Sequence, residues 1–292
     1  MIAPILEIKN LQRKIDQVTI IKAINAQVKA GDVVALLGKN GAGKTTLLET
    51  LLGFSFPSFG EVNIWDVKAT EITGEIKQRI GFVPQQDELL SGFNGKEHVD
   101  LFKAFRTAWN QELVERLVME WMIPMDIAAR KMSVGQRQKL SILLAIAHEP
   151  ELLILDEPVA SLDPIARRQF LQQLVDIAAD ENRAIIFSSH IVSDMERVAN
   201  QVWMLQNGEL SYQGQLDDLK ESVARITINS SENLPSVLNL PDVIKQRVQG
   251  KQAWVTVKNF SPDQQEAIAK EFNADVQVDY LSLEDIFLEM NA

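Results

Sequence analysis

The segment Gly38-Lys-Asn-Gly-Ala-Gly-Lys-Thr-Thr46 constrains this chain more than any other. It follows an all-apolar run, Val33 to Leu37, and leads into a helical pattern from Thr46 to Leu52. A strand buried on both faces, a glycine-rich turn and a helix start form the setting of a phosphate-cradling loop of the Walker A type. The glycines let the backbone curl, so that N–H groups along Gly38, Lys39, Asn40, Gly41, Ala42 and Gly43 point inward at phosphate. The helix amino terminus adds partial positive charge. Lys44 is expected to reach the β- and γ-phosphates, Thr45 to offer its hydroxyl to Mg2+, and Thr46 to complete the loop.

Two more aliphatic runs, Leu152 to Leu155 and Ala184 to Phe187, also end in polar residues. With Val33 to Leu37 they read as buried strands of a parallel sheet covered by helices, and ligands of such sheets bind beyond the strands' carboxyl ends. Ile5 to Ile8, Ile24 to Val28 and Glu61 to Trp65 alternate apolar and polar residues, as antiparallel strands do. The stretch from about 97 to 148 is helical in pattern. The charged stretch Gln215 to Val223 loses the strand-then-helix rhythm and suggests a linker. Beyond it, strands at Arg225 to Ile228, Ala253 to Val257 and Asp275 to Val278 are expected with helices announced by Ser261-Pro-Asp-Gln264 and Ser282-Leu-Glu-Asp285. The fold class is therefore α/β: a P-loop NTPase parallel-sheet core with an antiparallel β subdomain and a helical subdomain, plus a small α+β carboxyl-terminal domain. The expected boundaries are 1–215 for the nucleotide-binding domain and 216–292 for linker and accessory domain. The accessory domain holds no catalytic constellation and reads as a packing or regulatory module.

Asp156 and Glu157 emerge together at the end of Leu152 to Leu155. Asp156 is suited to hold Mg2+, and Glu157, one residue further, to polarise an attacking water as general base. His190 stands at the exit of the strand beginning at Ala184, where it can sense a γ-phosphate. His98 and His148 lie in the helical stretch, where surface or capping roles are expected.

With these in place, the chain resembles the ABC ATPase family, because further motifs of that family occur in its order. Met132-Ser-Val-Gly-Gln136 is similar to the LSGGQ signature, Gln85 after Phe82-Val-Pro84 to the Q-loop glutamine, and Ser161-Leu-Asp163 to the D-loop. The resemblance covers roughly Ile5 to Gly214. It implies that Ser133, Gly135 and Gln136 of one subunit close over ATP held by the Walker motifs of another, with Asp163 beside them. It further implies that Gln85 contacts Mg2+ and water. Ser133 is also expected to cap a helix running from Arg137 to Ala147. Two departures stand out. Ile15 occupies the position where the family stacks an aromatic ring on adenine, so base selectivity is expected to be weak. Val134 replaces a common glycine, while Gly135 is kept.

The resemblance implies an ATP-hydrolysing transporter subunit that needs a second such subunit, identical or different, and a separate integral-membrane permease. No apolar run reaches the roughly 18 residues of a membrane-spanning helix. The amino terminus lacks the pattern of a secretion signal, and the sequence contains no cysteine, so placement on the cytoplasmic face of the membrane is expected. The net charge of −11 opposes binding to nucleic acid. That charge, and the lack of a coiled-coil insertion or a second nucleotide unit, count against a soluble mechanochemical ATPase acting on nucleic acid or ribosomes. Retention of Glu157 and His190 counts against a binding module with little turnover. Leu281-Ser-Leu-Glu-Asp-Ile-Phe287 resembles an ending found in bacterial ABC exporters and favours export. Finally, Leu89, Leu90 and Phe93, in the loop after Gln85, are expected to form a groove for the permease.

Overall fold

The computed structural model describes residues 3–291 and divides the chain into two compact units, Met1–Gln213 and Gly214–Ala292. In the first unit, β1 (Leu6–Ile15) and β2 (Val18–Val28) form a long antiparallel hairpin. Their alternating burial puts Leu6, Ile8 and Leu11 inward with Ile21, Ile24 and Val28. The strands of the central sheet behave differently. Every residue of β3 (Val33–Leu37) is buried, as a strand covered on both faces requires.

α1 (Lys44–Leu51) follows β3, and β4 (Phe59–Ile64) returns to pair with β1. The expected strand from Glu61 to Trp65 stops at Ile64, because Trp65 and Asp66 adopt left-handed backbone (φ 45° and 64°) and turn the chain into β5 (Val67–Lys68). The guanidinium of Arg79 stacks 3.7 Å above the Trp65 ring. α2 (Gly74–Gln78) and β6 (Ile80–Val83) lead to the loop that carries Gln85.

The helical stretch resolves into α3 (Gly95–Ala104), α4 (Gln111–Glu120) and α5 (Val134–Ile146). α5 begins earlier than Arg137 because Ser133 makes a full capping box: its side chain accepts from Gln136 N–H, and the Gln136 side chain accepts from Ser133 N–H. The expected surface or capping roles of His98 and His148 need correction, since both are buried. His98 Nε2 accepts from Leu90 N–H, and its Nδ1 lies 2.7 Å from Asn94 O. His148 Nε2 lies 3.0 Å from Ile80 O. His98 is enclosed by the loop before α3 and His148 by the start of β6, so each ring binds a nearby main-chain group instead of solvent.

β7 (Leu152–Leu155), α6 (Pro164–Ala178), β8 (Ala184–Ser188), α7 (Val192–Met195), β9 (Gln201–Gln206) and β10 (Glu209–Gln215) complete a six-stranded sheet in the order β10-β9-β3-β8-β7-β6. The β6-β7, β7-β8, β8-β3 and β3-β9 pairs are parallel. This order sets the ends of β3, β7 and β8 side by side.

In the second unit, the stretch read as a linker begins with a helix, α8 (Leu216–Ser222). Its charges face solvent while Leu216 and Leu219 are buried, a pairing that a charge-based reading misses. β11 (Ala224–Ser230), β12 (Val243–Gln249), β13 (Gln252–Val257) and β14 (Ala274–Tyr280) form an antiparallel sheet in the order β12-β13-β11-β14. β12 was not expected, because no residue along it is fully buried and its polar letters hide the alternation. α9 (Pro262–Glu271) lies against β14. α10 (Leu283–Met290) is capped by Ser282, which accepts from Asp285 N–H, and it buries Leu283 and Ile286.

Candidate functional site

The phosphate loop joins β3 to α1. Gly38 lies so close to β9 that a Cβ there would sit 2.7 Å from Leu205 O, and Gly43, at φ 103°, supplies the left-handed turn into α1. Lys39 and Asn40 are exposed at the loop's outer curve, where Ala42 N–H donates to Lys39 O at 3.0 Å. Lys44 is buried, and its Nζ donates to Gly38 O at 2.8 Å. Thr45 and Thr46 occupy the first turn of α1.

Beside this loop, β7 and β8 end in a cluster of acid, hydroxyl and imidazole. Asp156 and Glu157 are 1% and 4% exposed, so neither is a solvated strand end. Ser188 joins them: its Oγ donates to Asp156 Oδ1 at 2.6 Å and accepts from Glu157 N–H at 2.9 Å. Sequence reasoning gave Ser188 no role. The available signal was a hydroxyl residue in place of an apolar one at the end of a buried strand. Glu157 has φ 53°, a conformation costing a non-glycine residue of order 1 kcal/mol or more, which the surrounding contacts hold in place. Its Oε1 lies 2.9 Å from His190 Nδ1 and 3.7 Å from Lys44 Nζ, and its Oε2 accepts from His190 N–H at 3.1 Å. Burial pushes the Glu157 carboxyl above its ordinary value. The charges of His190 and Lys44 pull in the opposite direction. A carboxylate so balanced, with a half-exposed imidazole on one side and a buried ammonium on the other, is suited to holding or taking a proton at Oε1.

Thr45, Gln85 and Asp156 line one cavity of about 580 Å3. A hydroxyl, an amide oxygen and a carboxylate form the hard oxygen donor set that Mg2+ takes, and Mg2+ usually keeps several waters as well as one or two protein ligands. The residues present therefore fit that ion. Phe54, Phe82, Leu89 and Phe102 line the same cavity. Of the three residues expected to form a docking groove, Leu89 lines this cavity, while Leu90 and Phe93 are exposed outside it. The rings of Phe93 and His98 meet edge to face, at 5.7 Å between centroids.

Ser133, Gly135 and Gln136 occupy the start of α5, and Asp163 the start of α6, where its Oδ1 accepts from Ile165 and Ala166 N–H. These two helix starts approach each other: a Cβ on Gly135 would lie 2.9 Å from Ser161 O. None of the four residues lines the cavity shared by Thr45, Gln85 and Asp156. Ile15 ends β1 opposite Val18, and both are exposed at the hairpin tip. Further along β2, Ile20 and Ile21 reach the phosphate loop, where a Cβ on Gly43 would meet their side chains at 3.1 and 3.0 Å.

Fold and site together define a nucleoside-triphosphate-binding protein of the P-loop class. The chain belongs to the ABC transporter family, as an ATP-binding and ATP-hydrolysing subunit. The family model described as ABC transporter matches residues 21–160. The chain is 30% identical over 227 residues to the bacitracin transport ATP-binding protein BcrA of Enterococcus faecalis, covering 76% of this chain and 73% of that protein. It is 27% identical over 303 residues to the Nod factor export ATP-binding protein I of Ralstonia nicotianae, covering 98% of this chain and 94% of the relative. Among solved structures, an ATP-binding subunit of an ABC transporter matches with a TM-score of 0.68 at 27% identity, covering 74% of this chain and 92% of the other. A dimeric ATP-binding cassette bound to ADP and Pi shares the fold, with a TM-score of 0.63 at 23% identity over 72% of this chain and 98% of that one. Among the described residues, no helix is long and apolar enough to cross a membrane.

Proposed function

We propose that this subunit drives an export system, closing with a second nucleotide-binding subunit around ATP at the cytoplasmic face of a membrane and moving a separate permease. The observation that carries this reading is the convergence of Lys44 and His190 on Glu157 Oε1, at 3.7 and 2.9 Å. Lys44 and the main chain from Gly38 to Thr46 bind the phosphates. Thr45, Asp156 and Gln85 hold Mg2+, which when bound neutralises charge on the phosphate oxygens. Glu157 accepts the proton of the attacking water, and His190 orients Glu157 and stabilises charge developing on the γ-phosphate. Ile15 meets adenine by aliphatic contact.

Ser133, Gly135 and Gln136 lie outside the cavity that contains Thr45 and Asp156. This supports a site completed across two subunits, with Asp163 at the junction. The γ-phosphate supplies the differential contact that favours the closed pair, and hydrolysis removes it. Transport is supported by the similarity to the bacitracin transport ATP-binding protein, and export by the similarity to the Nod factor export ATP-binding protein. The second unit is an accessory module for packing or regulation.

Substitution of Glu157 tests the assignment. Glu157→Gln keeps ATP binding, loses turnover and accumulates as an ATP-bound dimer in size measurements, whereas Lys44→Ala loses binding. Hydrolysis by Glu157→Gln at the wild-type rate refutes the general-base role.

A further inference from the structure

The loop that follows Gln85 is tied along its length to the segment that leads into Ser133. Arg137 Nε donates to Asp87 Oδ2 at 2.9 Å, and Nη1 of the same guanidinium donates to Met132 O at 2.9 Å. Further along, Arg130 N–H donates to Ser91 O at 3.1 Å, and Ala129 N–H to Phe93 O at 2.8 Å. Asn94 and Ala128 form a bridge beyond these. The side chains of Asp87 and Arg137 are only 16% and 26% exposed, so solvent screens this pair less than a surface ion pair.

The two ends of this tie have different neighbours. Asp87 sits two residues after Gln85, which lines the cavity with Thr45 and Asp156. Arg137 lies in the first turns of α5, and Met132 directly precedes the helix cap Ser133. Along the chain, Gln85 and Ser133 are separated by α3 and α4. The Asp87–Arg137 pair shortens that route to one ion pair. A planar guanidinium held at both Asp87 and Met132 has little freedom to absorb movement between them.

We propose that Asp87 and Arg137 are positioning residues that tie the orientation of the α5 amino terminus to the nucleotide state sensed at Gln85. Neither touches the reacting atoms. This inference rests on the reading above, in which Gln85 contacts the ATP-bound metal and the first turn of α5 closes on ATP held by a second subunit. When Gln85 moves on binding or losing the γ-phosphate, Asp87 moves with it and draws Arg137 and Met132 along. Ser133 and Gly135 are thereby presented to the second subunit or withdrawn. The coupling is reciprocal, so docking of α5 on a second subunit also holds Gln85 in place.

The test is a double-mutant cycle in the full chain with Asp87→Asn, Arg137→Gln and the two combined. Three quantities are read: ATP affinity of the dilute monomer, steady-state turnover, and ATP-dependent dimerisation in a Glu157→Gln background. Each single substitution is expected to leave monomer affinity within about twofold, to lower kcat by about 5- to 100-fold and to weaken dimerisation by a similar factor. The combined variant is expected to be no worse than either single one, and Arg137→Lys to recover part of the loss. Wild-type turnover and dimerisation in Asp87→Asn, which is close in size and least able to disturb folding, overturns the proposal. So do fully additive losses in the combined variant. If Glu157→Gln itself hydrolyses ATP normally, the general-base reading fails instead. The turnover arm of the cycle still reports on Asp87 and Arg137 in that case.

Discussion

Ser188 Oγ donates a 2.6 Å hydrogen bond to Asp156 Oδ1, joining the ends of two adjacent parallel strands at the point where the carboxylate is 1% exposed. Such a donor offsets the cost of burying a carboxylate, and the same hydroxyl accepts from Glu157 N–H, fixing the residue with left-handed backbone. Removal therefore affects two acids at once.

Ser188→Ala is expected to lower stability by about 1–3 kcal/mol, the cost of a buried polar group losing its partner. Turnover is expected to fall more than ATP affinity, because Asp156 and Glu157 lose their shared brace. Ser188→Thr keeps the hydroxyl and is expected to retain most of both. Urea unfolding and steady-state hydrolysis of the two variants check this, and equal behaviour of Ala and Thr would count against it.

At the hairpin tip, Ile15 and Val18 present aliphatic surface without a π-face. On the proposed adenine contact, Ile15→Tyr is expected to tighten ATP binding by about 1 kcal/mol and to sharpen its preference over GTP. Titration calorimetry with both nucleotides measures this. Unchanged affinities would place the base elsewhere.

We further propose that a short helix of the permease docks against the wall that Leu89 and Phe102 contribute to the 580 Å3 cavity. Leu89→Glu and Phe102→Asp are expected to spare hydrolysis by the isolated subunit and to abolish its co-purification with the permease. Leu90→Glu, outside that wall, serves as the comparison and is expected to have the weaker effect. Equal assembly of all three with the permease would sink this placement.

Burial, assisted by the charge of Arg106, lowers the His148 imidazole from 6.5 to about 4. Between those values the unfolded chain binds a proton that the folded chain refuses. Stability therefore falls as pH drops through that window, by up to roughly 3 kcal/mol, and is restored above about 6.5. Denaturant midpoints measured from pH 7 to pH 4 are expected to show this slope. His148→Gln, whose amide can still donate to Ile80 O, is expected to flatten it.

Much of the nucleotide-facing architecture was legible in advance, because buried parallel strands leave unbroken aliphatic runs and a phosphate loop leaves its glycines. Val33 to Leu37, Leu152 to Leu155 and Ala184 to Phe187 all lie in strands of the central sheet. Elements whose signal is divided between two environments were harder to read. α8 shows its charges and hides Leu216 and Leu219, while β12 has no fully buried residue to mark its period. The segment from Leu281 to Phe287 reads as a motif, yet Leu283 and Ile286 are buried at the start of a capped helix.

Local letters by themselves determined the shape of the loop proposed to hold phosphate, since the curl around Gly38 to Gly43 and the helix beginning at Lys44 depend on short-range backbone geometry. The tertiary structure alone decided how the distant groups meet. Ser188 reaches Asp156, His190 reaches Glu157 and Arg137 reaches Asp87 only because strand order and helix placement bring together segments far apart in the chain. Such pairings leave no periodic trace in either partner. A hydrogen bond or ion pair selects its mate by position in space, and neighbouring letters do not record that position.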